Sequence, residues 1–243
     1  MRKATVRSPL RVLVRRVMTR FKMESISCAT RTAYLCKGMR SVSEFCGLAS
    51  PLILASGSPR RAELLSAAGI SFEVRPAHID EGLRAGEDAR AYASRVAVDK
   101  ARAIAGPANG RPVLAADTVV VIDGLVLGKP VDSDDAKRML RLLSGRSHEV
   151  ITAVALMSTR RGQSDAVIDA RIELTVVEFA PLDTAEIDWY VATGEPADKA
   201  GSYAVQGLAS RFVTRIEGSY SNVVGLPMAL VYAMCTQAGI LLS

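Results

Sequence analysis

The sequence predicts an α/β fold built on a mixed, twisted sheet flanked by helices. Three observations carry this reading. Short apolar runs of strand length alternate with amphipathic stretches of helix length. An Asp123-Gly124 pair between two apolar runs signals a two-residue hairpin, so antiparallel neighbours accompany the crossovers. Alanine, valine and leucine dominate while aromatics make up only 5%, which suits helices packed on a sheet. At 243 residues the chain is one large domain or two small ones, with ample length for a packed core.

Residues 52–55 form an apolar strand that breaks at Ser56-Gly57-Ser58. Ser58 is a favourable N-cap, Pro59 suits the first helical position, and the helix 59–68 stops before Gly69. Residues 71–76 alternate as a short strand and lead to the polar Asp80-Glu81. A long helix spans 88–105, with Tyr92, Val96 and Ile104 on or near its apolar face. Residues 113–116 and 119–122 read as one apolar strand, returned after the hairpin by 125–127. Ser133-Asp134-Asp135 caps a helix that runs to Leu143 and stops at Gly145. Two long strands follow around 149–157 and 171–179, joined by a polar connection over 158–165. A helix over 183–193 precedes a Gly-rich loop, and the chain closes with a strand at 211–216 and a helix at 227–238.

The net charge of +6 hints at nucleic acid, but its location argues otherwise. Residues 1–50 hold 11 Lys/Arg against Glu24 and Glu44 only, a balance of +9 that leaves −3 for residues 51–243. The folded part is mildly acidic, so no generic polyanion surface is expected. The first fifty residues are a basic extension with three readings: a disordered tail, a start-site artefact with Met18, Met23 or Met39 as later starts, or an organelle-targeting segment. The first two outweigh the third. Cys28, Cys36 and Cys46 match no zinc spacing, and Cys235 has no partner in the core, so a reducing compartment and cytoplasmic location are expected. No run approaches the roughly 18 apolar residues of a membrane span.

The chemistry begins at Arg60 and Arg61, in the first turn of a helix whose partial positive charge prefers acidic residues. Two guanidinium groups beside free backbone N–H donors make sense around an anion, phosphate being the usual one; otherwise both point to solvent. Asp117 sits with Thr118 inside an apolar strand, where a carboxylate costs several kcal/mol unless paired or metal-bound. It is either an acid satisfied by backbone donors, or a metal ligand or general base. In an ideal hairpin register Thr118 faces Lys129, so Lys129 and Asp117 project from opposite faces; a bulge at Gly128 would bring them together. A solvated lysine is otherwise the default. Asp80 and Glu81 are ordinary surface acids taken singly, but with Asp117 they offer the oxygen ligands that Mg²⁺ or Mn²⁺ prefers beside phosphates. Lys100 reads as solvated on spacing alone. In the loop 194–207, Lys199 could reach a phosphate and Gln206 offers a donor and an acceptor, as base recognition requires; a plain connecting loop is the bland alternative.

Together these stretches resemble the Maf family of nucleotide pyrophosphatases, the septum-formation-protein-like family. Ser56 through Arg61, Ala116-Asp117-Thr118, Gly128-Lys129-Pro130, Asp198-Lys199-Ala200-Gly201 through Gln206-Gly207, and Gly218-Ser219-Tyr220 through Pro227 match in order and spacing. The match covers 51–243 and none of 1–50. The resemblance implies a Maf/ITPase-like two-lobed architecture with a central cleft. It implies hydrolysis of nucleoside triphosphates between the α- and β-phosphates, a house-cleaning activity on nucleotide pools. Asp117 would then be the proton acceptor, Ser56, Arg60, Arg61, Lys100, Thr118, Lys129 and Gln206 substrate-binding residues, and Glu81 with Asp117 the ligands of a divalent Mg or Mn. Arg60 with Gln206 matches the branch acting on dTTP and UTP, with modified pyrimidine triphosphates as further substrates. A second branch, with Trp and Glu at these positions, prefers 7-methylated GTP. The expected partners are a nucleoside triphosphate and a second copy of the chain in a homodimer, without nucleic acid or membrane. The alternative is a nucleotide-binding regulator of cell division with little turnover.

Overall fold

A computed structural model describes residues 51–159 and 166–240. The basic extension 1–50, with its three readings, lies outside the described residues, as do 160–165 of the expected polar connection. The strands are β1 (Leu52–Leu54), β2 (Phe72–Val74), β3 (Val113–Ile122), β4 (Leu125–Leu127), β5 (Ser147–Thr159), β6 (Ala166–Phe179) and β7 (Val213–Glu217). The helices are α1 (Pro59–Ala67), α2 (Ala89–Ala105), α3 (Ser133–Leu143), α4 (Thr184–Ala192), α5 (Tyr220–Val224) and α6 (Met228–Gln237). The strands form one sheet in the order β2-β1-β3-β5-β6-β7, with β4 beside β3. β1 runs parallel to β2 and β3, and the remaining pairs are antiparallel. The sheet is mixed, as expected.

Local chemistry explains most boundaries. Asp123 and Gly124 take φ of 51° and 77°, the left-handed pair that a two-residue hairpin demands, and β3 pairs β4 as Ile122↔Leu125. Asp88 caps α2 by accepting from the Ala91 amide, and Asp183 and Glu186 close a capping box on α4. Two expected caps differ. Ser133 is the first helical residue of α3, and the cap is Asp132, which accepts from the Asp135 amide. Ser58 holds the N-cap position of α1, but its hydroxyl makes no capping bond. Strands β5 and β6 run longer than their apolar cores, pairing from Ser147↔Glu178 to Thr159↔Ala166, because backbone ladders continue through polar residues. The five-residue α5 was not expected; Ser219 starts it by accepting from the Asn222 amide.

Strand β3 organises three apolar clusters. Its residues Val113, Ala115, Val119 and Val121 face α2, where Ala93, Ala97 and Ala101 let the helix approach closely. On the opposite face, Leu114 and Ala116 join Leu52, Leu54, Leu65 and the α6 residues Val231 and Met234. Further along that face, Val120 and Ile122 join Leu140, Leu143, Phe179, Ile187, Tyr190 and Phe212. Thr118 falls between the last two clusters. The edge of β3 is open at the same place: β1 pairs only as far as Leu54↔Leu114, and β4 begins at Val120↔Leu127. The fold therefore has two packed bodies with a cleft between them, centred on Asp117-Thr118.

His148 lies in the third cluster, edge-on to Phe179 and Tyr203 with ring centroids 5.1 and 5.3 Å away. Its Nε2 shares a hydrogen bond with the Tyr203 hydroxyl at 2.9 Å, and Nδ1 has no partner. Burial pulls its pKa down to about 4. Between that value and the ordinary 6.5 the unfolded chain binds a proton that the folded chain refuses, so stability falls as pH drops across this window. The loss is expected to reach roughly 3 kcal/mol by pH 4, at about 1.4 kcal/mol per pKa unit. Urea midpoints at pH 7, 5.5 and 4 would measure it, and His148→Gln should flatten that part of the profile.

Candidate active site

The cleft has a volume of about 470 Å³, within the range of small-molecule sites. It is lined from α1 and its preceding turn, from the coil at 77–81, from α2, from the open edge of β3 with Val150 of β5, from the segments at 128–129 and 198–206, and from the end of α5 with Gly225. All nine residues expected at the site reach it: Ser56, Arg60, Arg61, Glu81, Lys100, Asp117, Thr118, Lys129 and Gln206.

Arg61 is buried, and its guanidinium is fixed by three acceptors from different elements. Nε donates to the Gly225 carbonyl at 2.7 Å, one Nη to Ser56 Oγ at 3.0 Å, and the other to Thr118 Oγ1 at 3.1 Å. Ser56 Oγ also accepts from the Ser58 amide at 3.2 Å, so it serves the turn and the guanidinium together. All three Arg61 partners are neutral oxygens. Burial lowers the pKa of Arg61 and the nearby charge of Asp117 opposes that shift, so a cation is held at the cleft without a carboxylate in direct contact. That arrangement receives an anion well. Arg60 instead turns toward the loop at 198, its Nη1 lying 3.2 Å from Asp198 Oδ2. The uncapped N-terminus of α1 adds free amide donors beside both.

Asp117 is neither exposed nor satisfied by backbone. It is buried, with Oδ1 2.8 Å from Lys100 Nζ. The same ammonium lies 3.1 Å from Glu81 Oε2. Lys100, expected to be solvated on spacing alone, is therefore buried and doubly paired. Burial pushes the pKa of Asp117 up, against the pull of Lys100 and Arg61, and makes it a stronger base than an ordinary aspartate. Lys129 reaches the cleft by neither route considered from sequence. The ladder stops at Leu127, and the Gly128 carbonyl accepts from the Gly201 amide at 3.0 Å, so Lys129 stands outside the hairpin rather than on a bulge within it. Lys199, a candidate phosphate group, spends its ammonium on the Glu195 carbonyl at 2.7 Å and Asp198 Oδ1 at 2.6 Å.

Carboxylates from β3 and from the coil 75–88 thus converge on a single cationic point. Two oxygen donors of this kind fit Mg²⁺ or Mn²⁺, which take one or two carboxylates and complete their shell with phosphate and water. Among the described residues no group of three or more His, Cys, Asp or Glu gathers, so the protein alone builds no metal cage. Glu81 is half-exposed, and α2 fixes its backbone. Tyr92 donates to the Glu81 carbonyl at 2.8 Å, and Arg95 to the Gly82 carbonyl at 2.9 Å while pairing with Glu87. Neither Tyr92 nor Arg95 was singled out from the sequence as a site residue. The fourfold spacing of Tyr92, Val96, Lys100 and Ile104 was the available signal, because it puts Lys100 on the inward stripe.

A model of the family described as Maf-like protein matches residues 51–238. The chain is 55% identical over 192 residues to a dTTP/UTP pyrophosphatase of Anaeromyxobacter sp. (strain Fw109-5), covering 79% of this chain and 91% of the relative. It is 52% identical over 190 residues to a protein of the same name from Koribacter versatilis (78% and 95% covered). With one from Hahella chejuensis it shares 47% over 192 residues (78% and 92% covered). Among solved structures, the Staphylococcus aureus Ham1 protein aligns with a TM-score of 0.42 at 12% identity, over 77% of this chain and 99% of that one. The sequence motifs, the cleft they line and the family match over residues 51–238 agree: the chain belongs to the Maf-like protein family.

Proposed function

We propose that the protein hydrolyses dTTP and UTP between the α- and β-phosphates, releasing the nucleoside monophosphate and pyrophosphate. The observation that carries this is the buried Asp117–Lys100 pair set across the cleft from an Arg61 whose partners are all neutral. Relatives near 50% identity that carry the name dTTP/UTP pyrophosphatase support it. The regulator reading requires missing catalytic groups, and none is missing. The cytoplasm, where nucleotide pools lie, is the location that goes with this activity.

In this reading the triphosphate lies with its β- and γ-phosphates toward Arg60, Arg61, Lys129 and the α1 N-terminus. Asp117, its basicity raised by burial, orients a water on the α-phosphorus and accepts its proton. An O–P bond forms there as the bridging P–O bond breaks, and the guanidinium and ammonium groups take up the charge on departing pyrophosphate. Glu81 and Asp117 would hold a divalent metal, which supplies charge neutralisation on the phosphates. Lys100 keeps Asp117 ionised inside the protein and sets the direction of its carboxylate. Gln206, an exposed residue of the cleft lining, faces the base with one donor and one acceptor.

Pyrophosphate release from dTTP and UTP with Mg²⁺ or Mn²⁺, run against a panel of other triphosphates, tests the assignment. No release from either would overturn it. Asp117→Asn is expected to cut turnover on the order of a hundredfold or more while the protein stays folded; wild-type-like turnover would remove Asp117 from the mechanism. Gln206→Glu exchanges a donor–acceptor pair for an acceptor, and should lower kcat/KM for UTP by roughly 1–3 kcal/mol in transition-state terms. The ratio of kcat/KM for UTP to that for 7-methyl-GTP should fall with it, and an unchanged ratio would mean that Gln206 does not read the base. Among the described residues, those that line the cleft lie between 55 and 225, and deletion of residues 1–48 is expected to leave Tm and kcat/KM nearly unchanged.

A further inference from the structure

Gln206 sits on a turn that has no regular secondary structure of its own, yet both ends of that turn are bolted to one pair, the buried Tyr190 and the half-buried Glu195. The Ala204 amide donates to the Tyr190 hydroxyl at 3.2 Å, and that hydroxyl donates to Glu195 Oε1 at 2.8 Å. On the other side of the turn, the Leu208 amide donates to Glu195 Oε2 at 3.0 Å and the Ala209 amide to Oε1 at 3.4 Å. Between them, Gly207 passes so close that a Cβ there would collide with the Glu195 carboxylate. The pair itself is anchored. The Tyr190 ring is fully buried in the third apolar cluster, edge-on to Phe212 with centroids 5.4 Å apart. Burial first, and the Glu195 bond second, raises the pKa of the Tyr190 hydroxyl, which therefore remains a donor at neutral pH.

We propose that Glu195 and Tyr190 are positioning residues for base recognition, holding the 204–209 turn so that Gln206 meets the pyrimidine edge. This rests on the assignment of Gln206 to the base. Neither residue lines the cleft. The Glu195 carbonyl also holds Lys199, but the Glu195 carboxylate and the Tyr190 hydroxyl bond the turn, so exchange of either side chain bears on the base rather than on the phosphates. A turn held at one end could swing about it. Clasped at both ends around one carboxylate, it presents position 206 in a single place, and the ordering cost is met on folding rather than on binding.

The test uses Glu195→Gln, Tyr190→Phe, Gln206→Ala and the Tyr190→Phe/Gln206→Ala double variant of the full chain. Tyr190→Phe keeps the buried ring and removes one hydroxyl, so it carries the test even if Glu195→Gln fails to fold, and thermal melts identify the folded variants. In each folded single variant KM for UTP is expected to rise about tenfold with kcat changed by no more than about twofold. Competitive inhibition by inorganic tripolyphosphate, which has no base, should stay at the wild-type value. In the Gln206→Ala background, Tyr190→Phe should add nothing further. A wild-type KM in Tyr190→Phe, a matching loss of tripolyphosphate inhibition, or full additivity in the double variant would overturn the proposal. A wild-type KM in Gln206→Ala would instead overturn the assignment of Gln206 beneath it.

Discussion

One buried ion pair holds the chemistry of this fold in place. Lys100 of α2 and Asp117 of β3 each bring a charge to a position where an unpaired ion would cost several kcal/mol, and they meet at 2.8 Å. The pair depends on how α2 packs. Ala93, Ala97 and Ala101 present almost no side-chain bulk to the sheet, so the helix axis comes near enough for a lysine stem to reach an aspartate in the middle of a strand. Removal of Lys100 leaves Asp117 buried without its ionic partner, whereas removal of Asp117 leaves Lys100 with Glu81 alone at 3.1 Å. The arrangement therefore does more for position than for stability: it fixes an acid where the open edge of β3 exposes it to the cleft.

That open edge follows from strand lengths. β1 contributes three residues and β4 another three, and neither pairs β3 over 115–119. A longer β1 would have sealed the edge with backbone hydrogen bonds and turned Asp117 into a mid-sheet liability. The break at Ser56-Gly57-Ser58 ends the strand and starts α1, and so places the Arg61 guanidinium on the same gap. Arg61 and Asp117 influence one another across it without touching. An anion entering here finds a cation that no carboxylate has neutralised, while the acid opposite keeps its own lysine.

Most of the fold was legible because its elements are regular. The apolar runs, the Asp-Gly turn and the acidic caps each state their own boundaries, and the observed strands and helices follow them to within a few residues. The site was legible only where a residue broke a local rule. Arg60 and Arg61 at the wrong end of a helix, and Asp117 within an apolar strand, are such violations, and both stand in the cleft. Lys100 broke no rule in isolation, since a lysine on a helix is ordinarily solvated. Only its place on the stripe of Tyr92, Val96 and Ile104 marks it, and that stripe becomes informative once the helix is known to lie on β3. The sequence places Lys129 at the cleft but by the wrong route, because the ideal hairpin register carries pairing two pairs beyond Val120↔Leu127, where the ladder stops. Glu81 and Gln206 sit on coil and turn, where periodicity says nothing, and their place came from the family resemblance.

The residues of the cleft stand on different kinds of scaffold, and under the proposed roles this separates rate from selectivity. Asp117, Lys100, Thr118 and Arg61 stand on β3, α2 and α1, whose backbones are fixed by ladders and helical bonds shared with the core. Gln206 stands on a turn, held by side chains that accept and donate around it. If Gln206 reads the base as proposed, exchange of that one side chain alters which base edge is met and leaves the strand and both helices untouched. The reverse does not hold, because Thr118 bonds Thr152 Oγ1 at 3.0 Å and Thr152 donates to the Asn222 carbonyl at 3.2 Å. A change at the phosphate end therefore propagates through β5 into the segment whose Gly225 carbonyl orients Arg61. On the proposed assignment, phosphate recognition is tied into the core and resists change, while the turn that carries Gln206 is free to vary within the limits of its two anchors.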